Sequence, residues 1–145
     1  MIIKIKNKEH SVHFGMRFVR ELDKAYFASS GATKYGVGLN TRIPLLYDRD
    51  AVVLSDMLYL GTITEKSRPT KDQVDEYVEN HENIEGLFLE VLEELKKGNT
   101  TKLKTNQLVA ELDEALAKME EQKKLEEELE AERIEGLQRR LTKTS

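Results

Sequence analysis

Cysteine is absent from the chain, which removes disulfide frameworks, thiolate zinc sites and cysteine nucleophiles at once. The absence is compatible with a reducing compartment. Tryptophan is missing too, and only 6% of residues are aromatic, so any core must be built mainly from Leu, Ile and Val. No run approaches the ~20 consecutive apolar residues that span a bilayer. The start, Met1-Ile2-Ile3-Lys4-Ile5-Lys6, has neither the apolar core nor the small-residue cleavage site of a signal peptide. Charge of one sign is not in excess either: 34% of the 145 residues are charged, yet the formal net charge is -4. That balance favours solubility and offers nucleic acid no global attraction. The expectation is a soluble cytoplasmic protein with neither membrane nor nucleic acid among its partners.

Residues that carry chemistry are equally sparse. The three histidines are His10, His13 and His81. His10 and His13 have a spacing that invites a metal, but residues three apart on a strand point to opposite faces, so the pair cannot chelate from a regular strand. No serine sits in a Gly-x-Ser-x-Gly turn. Gly36-Val37-Gly38 lacks the third glycine of a dinucleotide loop and the Lys-Ser/Thr of a phosphate loop. The carboxylate run Glu126-Glu127-Glu128, with Glu130 and Glu132, reads as a solvated helix face and lacks the Asp/Asn-Gly pattern of a calcium loop. Lys96, Lys97, Lys102 and Lys104 form a basic cluster without interleaved aromatics. The expectation is no catalytic residue, no cofactor and no metal.

The hydrophobic pattern is more informative. Ile3 and Ile5 alternate with lysines, and Val12 and Phe14 with polar residues, which predicts a β-hairpin over 2–14 with its turn at Asn7-Lys8-Glu9. A helix over 16–27 follows, its apolar face formed by Phe18, Val19, Leu22, Tyr26 and Phe27. Residues 28–41, rich in Gly, Ser and Thr, read either as a long loop or as a loop with one short helical stretch around 36–43. Asp50 caps a helix carrying Ala51, Val52, Leu54 and Leu58; it is nearly apolar all round and so belongs at the centre of the core. Thr70 and Gln73 form a capping box ahead of Val74, Tyr77 and Val78. Asn83 caps a clearly amphipathic helix bearing Ile84, Leu87, Phe88, Val91, Leu92 and Leu95, which Gly98 stops.

Beyond a polar hinge at 99–105, residues 106–141 read as one long helical segment within a charged tail, 106–145. Leu108, Val109, Leu112, Leu116 and Met119 form an apolar patch on it. The same face then meets Lys123, Glu126, Glu130 and Arg133, and turns apolar again at Ile134, Leu137 and Leu141. A continuous coiled-coil seam would need apolar a and d positions throughout, and this helix does not supply them. The candidate partner-binding residues are Leu108, Leu112, Leu116, Met119, Ile134, Leu137 and Leu141. The proximal patch has a second reading, in which it packs back on the N-terminal core. The fold class is α+β, mainly α-helical: a helical domain at 1–98 with a small N-terminal β-hairpin packed on it, then the hinge and the long C-terminal helix.

Several strings also resemble a known family. They are Phe14-Gly15-Met16-Arg17-Phe18, then Glu21-Leu22-Asp23-Lys24 and Tyr26, then Lys66, Arg68-Pro69-Thr70 and Val74-Asp75. Ile84-Glu85-Gly86-Leu87-Phe88 and Glu90-Val91-Leu92-Glu93-Glu94-Leu95-Lys96 close the series. In order and spacing, residues 1 to about 105 resemble the tail assembly chaperones of siphophages that infect Gram-positive hosts. The resemblance implies a protein of the host cytoplasm that binds the tape measure protein, helps the major tail-tube protein polymerise around it, and leaves before the virion is finished. Some self-association is expected. The rival reading is a structural or adaptor protein that oligomerises through its long C-terminal helix.

Overall fold

A computed structural model describes residues 1–143; Thr144 and Ser145, the last two positions of the expected tail, lie outside the described residues. The elements run β1 (Ile2–Ile5), β2 (Lys8–Ser11), α1 (Met16–Ala25), β3 (Phe27–Ser30), β4 (Thr33–Gly36), α2 (Gly38–Tyr47), α3 (Ala51–Gly61), α4 (Lys71–Glu79), α5 (Ile84–Lys97) and α6 (Lys102–Lys143). The fold is α+β and mainly helical, with the N-terminal hairpin and long C-terminal helix that the pattern predicts. It divides into two compact units, residues 1–109 and the chain from Ala110 onward.

In the first unit, β1 and β2 pair antiparallel with Ile3 opposite His10 and Ile5 opposite Lys8. The turn falls one residue earlier than predicted. Lys6 and Asn7 both take positive φ, 50° and 63°, the left-handed pair that suits a two-residue hairpin turn. Ile3 and Ile5 therefore share the buried face. Val12 and Phe14 are buried as well, but lie beyond the end of β2. The Val12 amide donates to the Met1 carbonyl at 2.8 Å and the His13 amide to the Gly61 carbonyl at 2.8 Å. The second bond ties the hairpin to the end of α3.

Around it pack Phe18 and Leu22 of α1, Ile43 and Leu46 of α2, Leu54, Met57 and Leu58 of α3, Val74 of α4, and Leu87, Val91 and Leu95 of α5, all buried. Phe14 meets Phe18 edge-on with ring centres 4.8 Å apart. The predicted caps close in full. Asp50 accepts from the amides of Val52 and Val53, Thr70 and Gln73 form the reciprocal capping box, and Asn83 accepts from the Gly86 amide. Each satisfies amides that the helix itself leaves without partners. Helix α3 buries Val53, Leu54, Met57 and Leu58 in the core, while Val52, apolar as well, remains 71% exposed.

The segment 28–41 corrects the sequence reading. It holds a second antiparallel hairpin, β3–β4, with Phe27 opposite Gly36 and Ala28 opposite Tyr35, and then the start of α2. Helix α1 accordingly stops at Ala25, and Phe27 belongs to β3 and is exposed. Neither strand has a buried residue, so no alternation marked them. Gly31 supplies the turn with φ of 61°, a value that glycine adopts at little cost. The hairpin is anchored at its base: the Val37 amide donates to the Tyr26 carbonyl at 2.9 Å, and the Gly38 amide to Asp23 Oδ1 at 3.0 Å. Gly38 also lets α2 approach α1 closely, since a Cβ there would lie 2.6 Å from Leu22 Cγ.

His10 is buried. Its Nδ1 lies 3.0 Å from Glu65 Oε2, and the Ser11 amide donates to Glu65 Oε1. The Ser11 amide and then His10 hold the Glu65 carboxyl below the usual carboxylate range. A lowered folded-state pKa means that this clamp stabilises the fold above the unfolded value of about 4.3 and is lost as the pH falls through the folded value. Glu65→Gln is therefore expected to cost about 1–2 kcal/mol near neutrality. Thermal melts should show its gap to wild type closing below about pH 4; a gap that is constant with pH would contradict the clamp.

Candidate protein-binding surface

Polar groups in the first unit serve the fold. Lys71 on α4 lies 3.2 Å from Asp56 Oδ1 and bonds Ser55 Oγ at 2.9 Å. Lys71 and then Ser55 hold the Asp75 carboxyl low. Arg49 forks onto Glu85 at 2.8–3.1 Å, joining the α2–α3 turn to the start of α5. Tyr77 and His81 meet edge-on, ring centres 5.4 Å apart, beside an open groove of about 840 Å³ with Lys4, Lys6 and Glu76 on its walls. Among the described residues no cluster of His, Cys, Asp or Glu is arranged to hold a metal ion, and no helix is long and apolar enough to cross a membrane.

Helix α6 has 42 residues, about 63 Å at ~1.5 Å per residue. The two residues ahead of it are well held: the Thr101 hydroxyl donates to the Leu95 carbonyl at 2.6 Å, and the Thr100 hydroxyl to the Phe14 carbonyl at 2.9 Å. Thr105 and Val109 are its buried residues. Of the seven candidate binding residues, Leu108 packs against the core cluster and Leu112 is half-buried. Leu116 (46%), Met119 (68%), Ile134 (46%), Leu137 (46%) and Leu141 (70%) are exposed. At ~100° per residue these five fall within one narrow arc of the helix. Leu125 and Leu129, also exposed, lie on another side.

Ion pairs also line the helix. Lys118–Glu114 at 3.2 Å, Arg133–Glu130 at 2.8 Å and Arg139–Glu135 at 2.7 Å support the helix by ~0.2–0.5 kcal/mol each. An exposed apolar stripe flanked by charge is the form in which an amphipathic helix meets a partner.

Sequence reasoning missed a second apolar surface. Met16, Phe27 and Tyr35 are each more than half exposed and line a cleft of about 450 Å³ between α1 and the β3–β4 hairpin, with Arg20 and Lys34 beside them. Lys34 Nζ lies 5.1 Å from the centre of the Phe27 ring. Its residues come from a helix end and two strands that bury nothing, so no periodicity could gather them.

Residues 2–110 match the family described as phage tail assembly chaperone protein, TAC. The chain belongs to that family. The matched region ends at residue 110, one position past the end of the first compact unit at Val109. No curated protein and no solved structure matches the chain.

Proposed function

We propose that the chain binds the tape measure protein of a siphophage with a Gram-positive host, keeps it soluble in the host cytoplasm, recruits major tail-tube subunits to it, and is absent from the finished virion. The role is non-catalytic. The observation that carries the reading is the exposed face of α6, formed by Leu116, Met119, Ile134, Leu137 and Leu141. A tape measure protein is a long helical protein prone to aggregation, and an amphipathic helix can cover its apolar surface with a charged exterior. Half-buried Leu112 extends the same stripe, while Leu108 packs on the core of the first unit.

Co-expression with the cognate tape measure protein tests this. The full chain should keep it soluble and co-purify with it. A chain ending at Glu111, which retains buried Thr105 and Val109, should not. If both forms succeed, the contact lies within residues 1–109. If neither does, the adaptor reading moves ahead, and finding the chain in purified virions would establish it.

A further inference from the structure

The residues of α6 are arranged symmetrically about its middle. From half-buried Leu112 forward, the face advances by steps of four, three and four residues to Leu116, Met119 and Lys123. From Leu141 backward, the same steps lead to Leu137, Ile134 and Glu130. All eight positions fall on one face at ~100° per residue. The two series are mirror images about the midpoint between Glu126 and Glu127.

We propose that α6 pairs antiparallel with α6 of a second copy of this chain, about a two-fold axis at that midpoint. A two-fold interface is self-complementary: residue i meets j, and j meets i. In this register Leu112 lies opposite Leu141, Leu116 opposite Leu137, and Met119 opposite Ile134, each contact occurring twice. Lys123 lies opposite Glu130, again twice, so the charged middle that interrupts the apolar stripe becomes complementary across the axis. A parallel pair in register sets Lys123 against Lys123 and Glu130 against Glu130. The helical period alone accounts for the spacing of the apolar positions; it does not account for opposite charges at the mirrored positions Lys123 and Glu130.

The pairing is tuned to be reversible. Glu126 and Glu127 approach their own copies near the axis and oppose it, while Lys123, one turn away, offsets part of that repulsion. Glu130 is already held by Arg133 at 2.8 Å, so it joins two cations in the pair. The inference rests on the reading of α6 as an interaction surface. It adds that a second copy covers this face until the tape measure protein displaces it.

The full chain alone supplies the test. Since it has no cysteine, single-cysteine variants report one position each. Sedimentation should show a concentration-dependent dimer. Glu126→Cys should cross-link to itself, whereas Leu116→Cys and Leu137→Cys should cross-link efficiently only to each other when mixed. Lys123→Glu and Glu130→Lys should each raise the dissociation constant at least about tenfold, because like charges juxtaposed across an interface are costly. An equimolar mixture of the two, or the double variant, should restore dimerisation. A chain that stays monomeric at every concentration, or a Leu116→Cys variant that prefers itself to Leu137→Cys, would overturn the proposal. Retention of the tape measure protein is measured separately, so a monomer that still retains it removes the pairing and leaves the proposed function standing.

Discussion

A chain carrying both Leu116→Glu and Leu137→Glu is expected to lose the tape measure protein to the insoluble fraction, while its own cooperative unfolding stays where the wild type's lies. Fully burying a leucine in an interface is worth about 1.5–3 kcal/mol. Two such losses together weaken binding by roughly a hundredfold or more, and a carboxylate pressed onto an apolar partner adds a desolvation cost. The chain itself should tolerate the change. Both leucines are 46% exposed, glutamate is nearly as good a helix former as leucine, and surface substitutions of this kind usually stay within about 0.5 kcal/mol. Pull-down from co-expressing cells, read beside a thermal melt of the variant alone, checks both halves. Unchanged retention would move the contact off α6 and make the Met16–Phe27–Tyr35 cleft the next surface to alter. Lys123→Glu separates the two roles of the helix, since it disrupts the antiparallel register without removing an apolar contact.

What the sequence revealed, and what it hid, follows from how each element is held. The caps of α3, α4 and α5 were legible because one side chain and its spacing carry the information: Asp50, the Thr70–Gln73 pair and Asn83 act within three residues of themselves. Hairpin β1–β2 was legible because Ile3 and Ile5 alternate into a core. Hairpin β3–β4 was not, because it buries no side chain. It stands on backbone pairing, the Gly31 turn and the Asp23–Gly38 latch, and the latch joins residues 15 apart. Helix α2 was half visible, since Leu39, Ile43 and Leu46 repeat at helical spacing but Pro44 interrupts the run. On α6 the periodicity located the stripe but could not say which part of it meets water. The structure separates Leu108, which touches the core, from Leu116, Met119, Ile134, Leu137 and Leu141, which do not. Burial of His10 on Glu65 was invisible for a related reason, because its partner lies 55 positions away.

Phe18→Ala is expected to lower the cooperative unfolding transition by about 3–5 kcal/mol while leaving the melting of α6 beyond Val109 unchanged. Phe18 is 1% exposed and stacks edge-on against Phe14, so its removal opens a cavity in the middle of the first unit. Native stabilities run about 5–15 kcal/mol, so a loss of this size removes a large share of what holds the first unit folded and brings the variant toward its folding threshold at 37 °C. Residues 113–135, by contrast, have no buried or half-buried member. That stretch is held by backbone bonds and surface ion pairs such as Glu114–Lys118 and Glu130–Arg133, and isolated helices are marginal in water unless packing supports them. Hydrogen exchange on the monomeric chain should therefore divide it in two: strong protection in α3 and α5 that falls in Phe18→Ala, and weak protection over 113–135 that does not respond. Uniform loss of protection along the whole chain would mean that the two compact units unfold as one. Such weakness suits the role proposed for α6. A helix whose order depends on what covers it can exchange a second copy for a client without disturbing the unit that carries it.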